Sequence, residues 1–437
     1  MLAALLSIFP IAAVGLALRS ARTLAPAERG LVAGAALLCA AVALLAPAVA
    51  IHDQWTHFLH LRAALAEPVR LLDPWDRPGF TLLYAAPAAL GLTAARVTSA
   101  AIAALALAST IAAARALGLA RPWLAGALLL AQYDFFGQAA STMTELPFAA
   151  ALAIAIRGWA ARRPWLVGAG LGWCGITRPE GVLFAALGAA VLLARDRRAG
   201  PAALALLPLA LWGVAGALAT GDLLWWHRAN PYDGFVAPRL ELGQLVDSYF
   251  WEALRRGQPP VLLAVEAAGV LFALGRSGGR LRFLLAPLAV SFLVLSFVRI
   301  GLSDDWRESR YLVAVAPALA LLAAAGLDAA LAARPRAAAA ALLALAAAGS
   351  ARELAWNWRF AFGEEVLVPA LSFAALLGGT AWLWVARTRG SARAGVAFLL
   401  AIPLACSPPG VYGKQRPEQA REGGAAAAGA SSDPAWP

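Results

Sequence analysis

The stretch GLVAGAALLCAAVALLAPAVAIHDQWTHFLH, residues 30–60, decides the fold. Its first part, 30–51, carries no charged side chain and matches the roughly 20 apolar residues that a helix needs to cross a bilayer core. Its second part opens on His52 and Asp53, so a carboxylate stands where the chain leaves the hydrocarbon. Working outward, apolar runs of crossing length recur from Leu2 to Cys406. Of the 437 residues 61% are apolar and 14% charged, whereas a soluble domain carries about 25% charged residues. That composition leaves no ordinary soluble surface and predicts an all-α fold: a polytopic transmembrane helical bundle of roughly 12–14 helices.

The net charge of +11 is not pooled as a nucleic-acid surface would be. One of the 36 basic residues is lysine, and the arginines fall in small groups between apolar runs: Arg19/Arg22/Arg29, Arg115/Arg121, Arg157/Arg162/Arg163, Arg195/Arg197/Arg198, Arg276/Arg280/Arg282, Arg334/Arg336 and Arg387/Arg389/Arg393. Basic residues flanking membrane helices favour the cytoplasmic side. Assigning these groups to inner loops turns the remaining connections outward: 52–79, the turns near Glu145 and Arg178, 221–258, 299–309, 351–365 and the tail from 409. All four histidines lie there. Helices are expected at 2–18, 30–51, 97–114, 123–140, 145–159, 165–177, 181–194, 201–220, 260–275, 283–299, 311–332, 337–350, 366–386 and 394–408. Residues 80–94 are apolar too, but a full crossing there would invert every later loop, so they are read as interfacial or re-entrant.

The first run has its basic residues after it, the reverse of a secretory signal peptide, which predicts an uncleaved helix with the amino terminus outside. Cys39, Cys174 and Cys406 stand singly in or beside apolar stretches and read as packing residues. Residues 1–408 form one membrane domain, and 409–437, rich in Pro, Gly, Ala and Ser, read as a disordered tail. In the first outer segment, Asp53, His57, His60, Ala64 and Glu67 share one helical face and Trp55, Phe58, Leu59 and Leu65 another, as in a helix lying on the membrane surface. Asp73-Pro-Trp-Asp-Arg-Pro-Gly79 then breaks that helix and turns the chain back toward the bilayer.

Chemistry has a few places to live. Asp53, partly sheltered at the boundary, could act as a general base, or could cap the helix that follows it. Asp53, His57 and His60 at i, i+4 and i+7 could hold a divalent metal, while a wet polar face explains the same spacing; no other cofactor is indicated. Glu145 and Thr177-Arg-Pro-Glu-Gly181 sit at tight outer turns, where ionisable groups usually face a bundle interior or an aqueous cavity. A mutual pair such as Arg178 with Glu145 could instead serve packing alone. Trp225 and Trp226 fit an interfacial aromatic belt. His227 and Arg228 beside them could grip an anionic head group, since arginine offers a planar fork of donors. Arg310, in Ser303-Asp-Asp-Trp-Arg-Glu-Ser-Arg-Tyr311, lies nearest the next helix.

Taken in order, these motifs resemble a known family. An acid after an early helix, a Trp-x-Arg-Pro segment, Arg96, Glu145, Thr-Arg-Pro-Glu, Gly-Asp and Arg-Tyr-Leu with Pro317 run as they do in membrane glycosyltransferases of the GT-C fold. The branch is that of the protein O-mannosyltransferases and the lipid A aminoarabinose transferase, and the likeness spans roughly 30–330. The resemblance implies transfer of a sugar, usually with inversion, from a polyprenyl-phosphate carrier to a lipid, glycan or protein acceptor outside a bacterial cytoplasmic membrane. It implies Asp53 and Glu145 as the catalytic acids, and Arg96, Arg178, Glu180, His227, Arg228, Arg310 and Tyr311 around donor and acceptor. Where many relatives carry two adjacent acids, this chain has His52-Asp53-Gln54. A transporter or flippase of a sugar or lipid-linked sugar is the alternative, and transporters often show internal repeats and discontinuous helices. A non-catalytic assembly subunit is a third class.

Overall fold

The computed structural model describes residues 22–45, 52–194, 197–229, 236–238, 260–275, 279–300 and 309–333, with a few isolated positions besides. The described elements are α1 (Pro26–Leu45), α2 (His52–Ala63), α3 (Pro78–Leu90), α4 (Leu92–Ala116), α5 (Trp123–Leu130), α6 (Tyr133–Gln138), α7 (Glu145–Ala160) and α8 (Pro164–Gly175). They continue with α9 (Gly181–Ala194), α10 (Ala199–Thr220), α11 (Trp225–Arg228), β1 (Val236–Pro238), α12 (Pro260–Gly275), α13 (Leu285–Phe297), β2 (Val298–Ile300) and α14 (Ala316–Ala333). Short 3-10 turns cover Pro68–Leu72, Arg282–Leu284 and Ser309–Val315. Among the described residues the one β element is an antiparallel ribbon that joins Val236 to Ile300, so the fold is the expected helical bundle.

Four described helices are long and apolar enough to cross a membrane: Pro26–Leu45, Leu92–Ala116, Ala199–Thr220 and Arg310–Ala333. They divide into two kinds. In Leu92–Ala116 and Arg310–Ala333 most residues are buried within the protein, 78% and 83% of an apolar 18-residue stretch of each, whereas in Pro26–Leu45 and Ala199–Thr220 the share is 28% and leucines such as Leu37, Leu45 and Leu218 turn outward. Outward leucine is what a lipid-facing helix needs, because lipid tails are as apolar as leucine and association rests on close packing. Close packing is visible between α7 and α8. A Cβ on Gly170 would meet Ala155 N at 2.6 Å, and one on Gly158 would meet Val167 N at the same distance, so only glycine lets these backbones approach.

The apolar runs locate the helices closely: 181–194 and 260–275 coincide with α9 and α12, and 145–159 is α7 short by one residue. Residues 80–94 divide at Gly91, whose φ of 120° suits glycine alone. Before it, the 13 residues of α3 span about 20 Å at 1.5 Å per residue, short of an about 30 Å hydrocarbon core. The expected helix 123–140 is two helices. Gln132 adopts extended backbone between α5 and α6, and its side-chain amide donates to Glu266 Oε1 at 3.2 Å and to the Ala316 carbonyl at 3.1 Å. A side chain committed to two distant helices fixes the break. The helices expected at 337–350, 366–386 and 394–408, the tail 409–437 and most of 2–18 lie outside the described residues.

Candidate active site

Four segments that are far apart in sequence bring their charges to one end of the bundle. Asp53 comes from the first turn of α2, Glu145 from the first turn of α7, Arg178 and Glu180 from the turn between α8 and α9, and Arg310 and Tyr311 from the 3-10 turn Ser309–Val315. Arg310 Nη2 pairs with Asp53 Oδ2, and Arg310 Nε lies 3.7 Å from Glu145 Oε1. The same Glu145 oxygen pairs with Arg178 Nη1 at 2.8 Å. Arg178 Nε reaches Glu180 Oε1 at 2.5 Å, and its Nη1 donates to Thr144 Oγ1 at 2.7 Å. Tyr311 packs against both cations, with each guanidinium carbon 5.4 Å from its ring centroid. Charges therefore alternate from Asp53 through Arg310, Glu145 and Arg178 to Glu180.

Such an array needs its partners. Glu145 is 2% exposed, and a buried carboxylate is tolerated only when paired and hydrogen-bonded. Its Oε2 has no hydrogen-bond partner among the described residues, so one buried acceptor at the centre of the array is unused.

A second cluster adjoins the first. His57 Nδ1 pairs with Asp76 Oδ1, and His60 Nδ1 lies 2.6 Å from Asp76 Oδ2 and 3.6 Å from Asp73 Oδ2. Burial alone would raise the Asp76 carboxyl, but His57 and His60 outweigh it and hold it below the ordinary aspartate value. The hydrogen bond to Asp76 holds the His60 imidazole above its ordinary value, against the opposing pull of burial. Burial, with Asp76 beside it, pushes the Asp73 carboxyl up. Arg77 follows with φ 37°, a left-handed conformation uncommon outside glycine, and donates to the carbonyls of Gly175 and Arg178 at 3.3 and 3.4 Å. Gly79 N donates to Ile176 O at 2.8 Å, and Trp173 Nε1 donates to Gly79 O at 3.1 Å. The 73–79 loop is thus sewn onto the turn that carries Arg178.

Several expected residues are placed elsewhere. The metal triad Asp53, His57 and His60 is not assembled: Asp53 turns to Arg310, and both histidines turn to Asp76. The buried face of α2 is Gln54, His57, Phe58 and Leu61, which mixes the two faces expected from the sequence because Asp76 gives His57 a partner in the interior. Arg96 is buried and donates to Ala140 O at 2.7 Å and to Val42 O at 3.4 Å, fastening α1 and α4 to the segment before α7. Arg228 pairs with Asp222 at 3.1 Å on the surface, away from the alternating array. His227 falls in α11, and its side chain lies outside the described residues. Trp225 is no belt residue: it is buried against α10, with its ring 4.9 Å from Trp212, while Trp226 remains about half exposed. Asp73, Asp76 and Thr144 were not singled out from the sequence. For the two aspartates the available signal was a pair of acids spaced i, i+3 within the helix-breaking loop.

No protein-family model matches this sequence, and no curated protein matches it. Among solved structures the chain is similar to ArnT from Cupriavidus metallidurans bound to undecaprenyl phosphate. The TM-score is 0.69 at 18% identity, over 91% of this chain and 80% of that one. The chain has the fold of ArnT. The apo state of the same ArnT matches with a TM-score of 0.58 at 18% identity, over 90% of this chain and 78% of that one. ArnT is a lipid A aminoarabinose transferase of GT-C fold, so the architecture expected from the motif order is borne out.

Proposed function

We propose that this chain is a membrane glycosyltransferase that moves a monosaccharide from a polyprenyl-phosphate carrier to an acceptor hydroxyl, with inversion at the anomeric carbon. The observation that carries the reading is the alternating array from Asp53 to Glu180, gathered from four segments at one end of a membrane bundle. Likeness in fold to ArnT, solved bound to undecaprenyl phosphate, supports it.

The chemistry needs a base at the acceptor hydroxyl and positive charge at the departing phosphate; Asp53 and Arg310 pair directly, so an entering substrate must part them. Asp53 takes the proton of the acceptor hydroxyl as its oxygen bonds to the anomeric carbon. The bond from that carbon to the phosphate oxygen breaks, and its electron pair leaves with the polyprenyl phosphate. Arg310 and Arg178 stabilise the charge that develops there, a role in which preorganised cations are worth most. Glu145 holds both arginines in place, and Tyr311 lies against both. In this reading the site faces away from the cytoplasm, on the side opposite the arginine groups assigned to the inner loops, in a bacterial cytoplasmic membrane. The acceptor is a lipid, glycan or protein.

Asp53→Asn should reduce sugar transfer by purified protein about 100-fold or more, the scale of a lost general base, while folding and carrier-lipid binding persist. Mass spectrometry of the products is the readout. Full activity in that variant removes Asp53 from catalysis. Movement of sugar or lipid into sealed vesicles without a new glycosidic bond replaces the enzyme with a transporter.

A further inference from the structure

Between α6 and α7 the chain runs without helix over 139–144, and every residue of that stretch is buried. Non-helical backbone at membrane depth is tolerated only where protein or a wet cavity takes up its polar groups. Here α4 takes up two of the carbonyls. Arg96 Nε donates to Ala140 O at 2.7 Å, and Ser99, one turn further along α4, donates its hydroxyl to Ser141 O. Ser99 Oγ also lies 2.8 Å from Tyr84 Oη of α3. Anchored in this way, the next four residues each meet a part of the alternating array. Thr142 Oγ1 donates to the carbonyl of Gln54, the residue after Asp53, at 3.2 Å. Met143 Sδ lies 3.9 Å from Arg310 Nη1. Thr144 Oγ1 accepts from Arg178 Nη1 at 2.7 Å, and Glu145 addresses both arginines. Thr144 stands at the N-cap of α7, where a threonine hydroxyl ordinarily accepts from a backbone amide two or three residues on, yet it makes no such bond. Its hydroxyl is turned to Arg178 instead.

We infer that residues 140–145 are a template that keeps the base and the two cations at fixed spacing, with Thr142 a positioning residue for Asp53 and Thr144 one for Arg178; this rests on the transfer reaction proposed above. A substrate that parts Asp53 from Arg310 removes the ion pair that holds the carboxylate in the free protein. The bond from Thr142 to Gln54 O survives that parting, because it grips the backbone one residue from Asp53. Thr144 likewise grips Arg178 through a neutral oxygen, which a phosphate arriving at the guanidinium does not repel as it repels the Glu145 carboxylate. Misplacement of a reacting group by about 1 Å can lower a rate about 100-fold, and a template with these contacts prevents it.

The test uses the full chain purified in detergent, with undecaprenyl phosphate as the binding probe and undecaprenyl-phosphate-linked monosaccharides as donors. Thr144→Val should weaken binding of undecaprenyl phosphate about tenfold, the scale of one hydrogen bond to a charged group. Thr142→Val should leave that binding within about twofold and lower kcat about tenfold or more at unchanged KM for the donor. Thr142→Ser and Thr144→Ser keep the hydroxyls and should recover most of each loss. A packing role predicts the reverse, since valine keeps the shape of threonine and serine does not. Thermal unfolding in detergent reports the folding of every variant. Equal effects of the two valine variants on binding, or serine variants that do no better than valine, overturn the template. A wild-type chain that binds undecaprenyl phosphate but transfers no sugar overturns the transfer reaction, and the template is then decided by the binding of Thr144→Val and Thr144→Ser alone.

Discussion

At the Asp53 end of the bundle five charged side chains from four segments share partners, whereas at the other end Glu28 pairs with Arg115 and Asp328 with Arg121, each acid with one arginine. The two ends lie well apart. Arg96 and Arg115 mark the opposite ends of α4, and their separation of 19 residues amounts to about 28 Å along the helix. At the far end the arginines are about two-fifths exposed and each acid also caps a backbone amide, Glu28 that of Ala25 and Asp328 that of Ala120. Those pairs are complete as they stand. In the array, by contrast, Glu145 is shared by two arginines and keeps an unused oxygen. A shared, buried and incompletely saturated set of charges can be re-paired by a substrate, and a capped isolated pair cannot.

The largest effect that could break this contrast is removal of the shared cation. Arg310→Ala leaves Asp53 and the buried Glu145 without it, and losing one partner of a buried pair costs about 3–5 kcal/mol. Unfolding in detergent should show a loss of that size, with sugar transfer abolished. Arg310→Lys should recover part of the stability but little transfer, since one ammonium cannot replace a fork that addresses two carboxylates. A stability loss under about 1 kcal/mol in Arg310→Ala would mean that the array is no more coupled than a surface pair.

A smaller effect tests how the array is held. A Cβ added at Gly79 would lie 2.5 Å from Thr177 Oγ1 and 2.9 Å from Ile176 O. Gly79→Ala must therefore push away the turn that carries Arg178, at the about 1–3 kcal/mol typical of overpacking. Transfer should fall with it. Equal stability and transfer in Gly79→Ala would show that the turn yields freely and that Arg178 does not depend on the 73–79 loop.

How much of this was legible in the sequence follows the range of the forces involved. Helices α7, α9 and α12 read directly from apolar runs, because burial in lipid acts residue by residue along the chain. The gathering of Asp53, Glu145, Arg178 and Arg310 was implied by the family resemblance, while the residues alone said that charges at tight outer turns face a bundle interior or an aqueous cavity, because lipid makes isolated charge expensive. The break at Gln132 was not, since no glycine or proline marks it and its partners lie 134 and 184 residues away. Helical spacing offered the histidines either a shared ion with Asp53 or a wet polar face, yet spacing says which residues share a face and not what the rest of the chain brings to it. Asp76 arrives from a loop 16 and 19 residues beyond the two histidines and captures both.

The smallest expected effect sharpens the contrast from the far end. Glu28→Gln removes one charge but keeps an oxygen for the Ala25 amide, so the cap survives while the ion pair does not. Arg115, 43% exposed, is then solvated by water and head groups, which offsets most of the lost attraction. Because the charge left behind is the partly exposed Arg115 and not the buried acid, 5% exposed, the cost stays near that of a surface pair, about 1 kcal/mol, and falls as salt screens it. Unfolding in detergent should show no more than that, with sugar transfer unchanged, and Asp328→Asn should behave alike because Asn still accepts from Ala120. A loss comparable to that of Arg310→Ala, or a fall in transfer, would mean that charge at the far end is coupled through α4 to the site, and the distinction between fastener and working array would fail.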